Sequence, residues 1–217
     1  MAGTRTGRFV VIEGIDGAGT TTQVGLLAGR LRREGHTSVC ATREPTDGPF
    51  GVMIRQVLTG RLVATQGRAP GWATMALLFA ADRMDHSECV IEPAVASGGI
   101  VISDRYDASS LAYQSVSSGA NGADAVEWIR SLNRYAFRPD LTIVLDVSAE
   151  VAASRRAQRG EPAQLYEQNE VQRALSVFYK NLQGHMPNDR VVLVDAHGDV
   201  NDVHQRVYDV VRSVLMV

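Results

Sequence analysis

No apolar run in the sequence reaches the roughly 20 residues that a membrane-spanning helix needs. Residues 1–8 carry arginines with no long apolar stretch behind them. The expectation is therefore neither a signal peptide nor an anchor, but a cytoplasmic protein without membrane contact. Cysteine is scarce: Cys40 and Cys89 are the only two, at no metal-binding or redox spacing. Both stand among apolar residues and are expected to be buried free thiols in a reducing compartment. There is no charge excess, since a net charge of −2 gives no general pull towards nucleic acid or anionic lipid. Repeats, low-complexity tracts and linkers are missing as well. Lysine is almost absent: among 22 lysines and arginines, Lys180 is the one lysine. What remains is an ordinary globular composition, 45% hydrophobic and 21% charged, in 217 residues. That is enough for one α/β domain with a sizeable core, spanning 1–217.

The chain is organised around residues 9–23. Val10, Val11 and Ile12 form the short apolar run of a strand buried on both faces. Gly14, Gly17 and Gly19 free the backbone for a turn that can approach a ligand closely. Thr20, Thr21 and Thr22 then open a helix that continues through Val24, Leu27 and Leu31. Such a turn directs several N–H groups at one spot with a helix N-terminus behind them, which is a phosphate cradle. Gly14 and Gly19 have the spacing of G-x-x-x-x-G-K-[ST], and Thr21 stands where the magnesium-binding hydroxyl belongs. The lysine of that pattern is missing, and Thr20 takes its place. A general drift from lysine to arginine would have left Arg there, so the compositional bias does not explain it.

Further along, apolar runs at 39–42, 100–103, 141–146 and 191–195 read as four more strands. Helical patterns are predicted over 20–33, from 52 to 58, over 72–97 with Pro93 as a point of breakage, and over 107–117. Others follow over 123–136 and 149–159, from 166 to just before Pro187, and over 200–214. Strands alternating with helices predict a five-stranded parallel sheet covered on both faces, a three-layer α/β fold. Ligands bind such sheets at the carboxyl ends of the strands. The loop at Gly14, Arg43-Glu44, Asp104-Arg105 and Asp195-Ala196 all follow strands and should converge on one cleft.

These residues resemble the thymidylate kinases of the P-loop nucleoside monophosphate kinase class, in order and over nearly the whole chain. The resemblance rests on Glu13-Gly14-Ile15-Asp16-Gly17-Ala18-Gly19, Thr42-Arg43-Glu44-Pro45, Leu78-Phe79-Ala80-Ala81-Asp82-Arg83 and Asp104-Arg105-Tyr106. It continues through Ser109-Ser110-Leu111-Ala112-Tyr113-Gln114, Arg138-Pro139-Asp140-Leu141 and Val194-Asp195-Ala196. It implies the P-loop kinase fold and phosphoryl transfer from MgATP to dTMP, giving ADP and dTDP, in dTTP synthesis. It implies ATP on Gly14, Ile15, Asp16, Gly17, Ala18, Gly19, Thr20, Thr21 and Thr22, with Asp195 and Ala196 beside adenine. Thr21, Asp104 and Glu167 would serve Mg2+. Arg105 would grip the acceptor phosphate, and Asp16 would orient the acceptor end. Phe79 would stack on thymine, Arg83 meet the base edge, and Tyr113 pack on the deoxyribose. Glu44, Pro45, Ser110, Gln114 and Tyr166 would complete the dTMP pocket. A mobile lid at about 155–166 would bring Arg155, Arg156 and Arg159 to the transferring phosphate, and the enzyme would be a homodimer.

Taken from the residues alone, several of these stay open. Phe79 on a helix reads as core, Arg105 as a partner of Asp104 or Asp107, and the lid arginines as a solvated helix end. The chain also departs from the family pattern. Thr20 replaces the lysine, Gln164-Leu165 stand where an Asp-Arg pair is common, and Gly17 stands where some members carry arginine. A kinase for another deoxynucleoside monophosphate and a nucleotide binder with impaired catalysis are the competing readings.

Overall fold

The computed structural model describes residues 7–119, 122–159, 166 and 168–215, with the side chains of residues 66 and 159 left out. Strand β1 (Arg8–Gly14) carries Phe9, Val10, Val11 and Ile12, none of them exposed. It lies at the centre of a five-stranded parallel sheet in the order β2-β3-β1-β4-β5. The other strands are β2 (Val39–Arg43), β3 (Ile100–Asp104), β4 (Leu141–Asp146) and β5 (Val191–Asp195). The expected three-layer α/β fold is borne out. Alternate residues of β1 serve different clusters, as the period of a strand requires. Val10 and Ile12 join Leu27, Leu31, Val207 and Val211, whereas Phe9 and Val11 join Ile91, Val95 and Tyr106.

Helix α1 (Thr20–Arg33) stops where expected. The His36 N–H bonds Leu31 O at 3.1 Å and the Gly35 N–H bonds Arg32 O at 3.2 Å, with Gly35 at φ 95°. This paired closure needs a left-handed residue, which glycine supplies without steric cost. Next come α2 (Pro49–Leu58) and α3 (Trp72–His86). The predicted helix over 72–97 is in fact three segments: α3, a π-helical turn at Ser87–Ile91 and α4 (Glu92–Ala96). Pro93 sits in the first turn of α4, where its missing N–H breaks no bond. Two more helices, α5 (Asp107–Ser117) and α6 (Gly122–Leu132), lie between β3 and β4. α6 ends earlier than predicted because Asn133 turns its side chain back to Ile129 O at 2.8 Å. Beyond β4 lie α7 (Ala149–Arg159), α8 (Asn169–Lys180), α9 (Leu182–His185) and α10 (Val200–Leu215). The helix predicted from 166 thus begins at Asn169 and divides after Lys180.

Register sets the site. Ile12 pairs with both Asp104 and Ile143, and Gly14 pairs with Leu145, so the loops after β1, β3 and β4 leave the sheet at one level. The chain passes from β1 to β2 on one side and from β3 to β4 across β1, which opens a crevice at the carboxyl ends. The buried-thiol expectation fails: Cys40 is half-buried and Cys89, on the outward side of the π turn, is exposed. Among the described residues, no helix is long and apolar enough to cross a membrane.

Candidate active site

The loop from Gly14 to Gly19 closes with the Ala18 N–H on Ile15 O at 3.0 Å. Gly17 must be glycine on two counts. Its φ is 91°, and a Cβ there would lie 2.4 Å from Ala152 O of α7. Thr20 is nearly buried, while Thr21 and Thr22 face outwards at the start of α1. The Thr21 hydroxyl donates to Asp104 Oδ2 at 2.5 Å, and Asp104 Oδ1 is buried without a partner. One hydroxyl and one carboxylate with a spare oxygen suit a hard cation that keeps waters and phosphate oxygens as its other ligands, the habit of Mg2+. Among the described residues no three His, Cys, Asp or Glu side chains gather as a protein-only cage.

Arg105 follows β3 and is the only non-glycine of positive φ among the described residues, at 71°. Its guanidinium donates to Gly14 O at 2.8 Å, Asp16 Oδ1 at 2.8 Å and Ser109 Oγ at 3.2 Å. It also lies 5.3 Å from the centre of the Tyr113 ring. Burial alone would lower its pKa, but Tyr113, Asp16 and the carboxylates around it hold it well above the usual value, so it stays charged. Asp16 is held a second time by Gln172 of α8. The amide donates to Asp16 Oδ2 at 2.8 Å and accepts from the Asp16 N–H at 3.1 Å.

A pocket beside this pair is lined by Asp16, Glu44, Pro45, Phe79, Arg83, Arg105, Ser110, Tyr113, Gln114 and Tyr166. Every residue expected on the acceptor side is therefore in one wall, together with Leu58, Tyr106 and Ser109. Phe79 is half-buried and packs against Ile54, Val57 and Met75, so it touches core and pocket alike. Arg83 is wholly buried, and its fork is spent inside the protein. Nη1 donates to Asn133 Oδ1 at 2.6 Å, and Nη2 to Glu44 Oε2 at 2.7 Å, Tyr106 O at 3.0 Å and Ser110 Oγ at 3.1 Å. Only Nε is left, buried and unpartnered, as are Gln114 Oε1 and Tyr113 Oη. Burial pushes the Tyr113 pKa well up, so its hydroxyl keeps its proton.

The loop carrying Glu44 and Pro45 is fastened to α3. Thr46 donates through its N–H and hydroxyl to Asp82 at 2.8 and 2.5 Å, and His86 bridges Glu44 Oε1 at 3.1 Å and Thr42 Oγ1 at 2.8 Å. His86, Asn133 and Gln172 carry no signal in the sequence, and Asp82 stands there only as part of a motif. Each is a polar side chain in or beside a helix and looks there like a surface residue. Glu13 likewise stands in the sequence only as part of a motif. It is fully buried, and burial raises its pKa to about 7 against the pull of Arg105 and its hydrogen bonds.

On the donor side, α7 lies over the phosphate loop. Arg155 donates to Ala18 O at 3.3 Å and Ala196 O at 3.0 Å, and Arg156 donates to Asp16 O. Arg159, the lid residues 160–165 and Glu167 fall outside the described residues and side chains. The hollow next to the loop is lined by Ala18, Gly19, Thr22, Gln23, Arg155, Gln158, Gly198, Val200 and Val203. Among the described residues, Gly198, Val200 and Val203 border this end in place of the expected Asp195 and Ala196. Asp195 is turned to His197 Nδ1 at 2.6 Å, and Ala196 is buried with its N–H on Asp146 O at 2.8 Å.

Comparison with known proteins agrees with this geometry. The family model described as thymidylate kinase matches residues 12–207. "Probable thymidylate kinase" of Thermococcus gammatolerans is 41% identical over 212 residues, covering 97% of this chain and 98% of its own. "Thymidylate kinase" of Rhodopseudomonas palustris is 38% identical over 217 residues, covering 97% of this chain and 90% of its own. "Probable thymidylate kinase" of Pyrobaculum aerophilum is 45% identical over 152 residues, 70% of this chain and 71% of its own.

Proposed function

The chain belongs to the thymidylate kinase family, and from that premise we propose that it transfers the terminal phosphoryl group of MgATP to dTMP, giving ADP and dTDP. The observation that carries this reading is the shared pocket. Segments as far apart in sequence as Asp16, Glu44, Phe79, Arg105, Gln114 and Tyr166 line one cleft at the mouth of the phosphate loop. Phosphoryl transfer asks little covalent chemistry of a protein, so holding two anionic ends in line and stabilising their charge is the task. The loop N–H groups and the start of α1 hold the donor phosphates. Arg105, fixed against Asp16 and Gly14, presents a permanent charge to the acceptor phosphate. Thr21 and Asp104 would hold Mg2+, whose contribution when bound is to neutralise charge on the phosphate oxygens.

Base choice follows from the unpaired buried groups. Gln114 Oε1 is an acceptor and Arg83 Nε a donor. Thymine offers N3–H beside a carbonyl oxygen and satisfies both. In the pose that suits thymine, cytosine sets its N3 acceptor against Gln114 Oε1 and its amino group against Arg83 Nε, the kind of mismatch that discriminates most strongly. Tyr113 closes over the sugar side and disfavours a ribose 2′-hydroxyl.

Thr20 brings no charge, so Arg155 and Arg156 take over part of the missing lysine's work, since both already bond carbonyls of the loop. A homodimer accords with exposed apolar side chains on α2 and α3: Phe50, Val52, Met53 and Leu77. Thr20 also favours a second reading, a nucleotide binder with little or no transfer. A coupled ADP-release assay with dTMP, dUMP, dCMP, dGMP and dAMP decides among these. We expect dTMP to be the best acceptor. A preference for a cytosine or purine monophosphate overturns the thymine assignment, and nucleotide binding without turnover establishes the second reading.

A further inference from the structure

The backbone of Arg105 lies in the left-handed region, where a residue with a Cβ persists only if its neighbours over-determine it. They do. The Arg105 N–H donates to Ile12 O at 3.0 Å, and the Arg105 carbonyl accepts from Ser103 Oγ at 2.7 Å. The next N–H, of Tyr106, donates to Glu13 Oε1 at 2.8 Å. The same carboxyl accepts from the Ser109 N–H at 3.1 Å, the Ser109 hydroxyl at 2.6 Å and the Tyr179 hydroxyl at 3.0 Å. Ser109 Oγ in turn accepts from Arg105 Nη1 at 3.2 Å. One buried carboxyl therefore reaches Arg105 twice: through the peptide that follows it, and through the serine beside its guanidinium.

We propose that Glu13 is a positioning residue for phosphoryl transfer, holding Arg105 in the backbone and side-chain geometry that meets the acceptor phosphate. This rests on the reading of Arg105 as the phosphate-binding arginine. All four partners of Glu13 donate, so it does this best as a carboxylate. The groups electrostatically coupled to it are Arg105 in the loop after β3, Tyr179 on α8 and Tyr113 on α5, and Arg105 is itself paired with Asp16 of the phosphate loop. Burial opposes the charge and places the titration near neutrality. Protonation leaves the four donors with a poorer partner, so the acid limb of kcat/KM for dTMP should fall near pH 7.

The test compares equilibrium binding of dTMP with that of thymidine, which lacks the phosphate, for the wild type, Glu13→Gln, Tyr179→Phe and Arg105→Ala. Glutamine keeps the shape but must turn an NH2 towards one pair of donors. Misplacing Arg105 should cut the preference for dTMP over thymidine roughly 10- to 100-fold. Thymidine binding should stay near wild type, as should the melting temperature measured near pH 7, and the part of the acid limb set by Glu13 should vanish, leaving that of the dTMP phosphate itself. Tyr179→Phe removes one donor and should give a smaller loss of the same kind, which serves if Glu13→Gln does not fold. Full dTMP preference in both variants, with loss in Arg105→Ala, overturns the role of Glu13. Equal weakening of both ligands with a lowered melting temperature overturns it too, by making Glu13 purely structural. Unchanged preference in Arg105→Ala removes the phosphate assignment itself, and the proposal with it.

Discussion

Glu13 makes folding depend on pH in an unusual direction. Its pKa rises from 4.5 to about 7 in the folded protein, so between those values the folded state holds more protons than the unfolded one. Its contribution to stability is fully present below about pH 4.5 and is lost as pH rises through about 7. A shift of that size corresponds to about 3 kcal/mol. Urea titrations between pH 5 and pH 8 should show the wild type losing stability relative to Glu13→Gln by up to that amount, whereas parallel curves would contradict the linkage. Arg83 behaves differently. Its removal leaves Glu44 buried beside an uncompensated site, so Arg83→Met should cost about 3–5 kcal/mol in stability, read by thermal or chemical denaturation. A drop in its activity must therefore be measured on the folded fraction. At this scale the sequence showed which residues follow strands but not what they touch. The Glu13 carboxyl, the Gln172 amide and the spent fork of Arg83 are packing facts, and a polar residue in a helical pattern carries no mark of its partner.

At the scale of the element, the proposed donor site is the phosphate loop with α7 lying on it. Arg155 and Arg156 donate to the loop carbonyls of Ala18 and Asp16, so their charge lies against the phosphate loop. Replacing each with alanine should lower kcat by about 10²–10³, the scale for one preorganised donor, while ATP binding persists. Thr20→Lys should then change turnover by no more than about 10-fold, since its charge would duplicate theirs. A thousandfold gain in Thr20→Lys with inert arginine variants would refute the compensation. Elements were legible where one physical signal ruled. The five strands stand out as short apolar runs because a central parallel sheet is covered on both faces. Within 72–97 the break near Pro93 was legible, but the π-helical turn ahead of it was not, because Ser87–Ile91 contains nothing that forbids an α-helix. The helix expected from 166 is interrupted for a similar reason: its break after Lys180 has no glycine or proline to announce it.

On the scale of the whole molecule, the proposed homodimer is tested at Phe50, Met53 and Leu77, which are exposed on α2 and α3. Leu77→Glu should shift the sedimentation of the protein to that of a monomer without changing its circular dichroism. A species of unchanged size would place the contact elsewhere. The general arrangement, a cleft above the carboxyl ends of β1, β3 and β4, was readable from which segments directly follow the apolar strand runs. The far end of the donor hollow was not, since Gly198, Val200 and Val203 carry no motif. For a lineage changing by single substitutions, Gly17 and α7 form a lock. An arginine at 17 would drive a Cβ to within 2.4 Å of Ala152 O at a left-handed φ, so it cannot arise while α7 rests on the loop. Nor can α7 withdraw without taking Arg155 and Arg156 with it. Charge from the loop and charge from α7 are mutually exclusive solutions, and descent from one to the other requires both sites to change together.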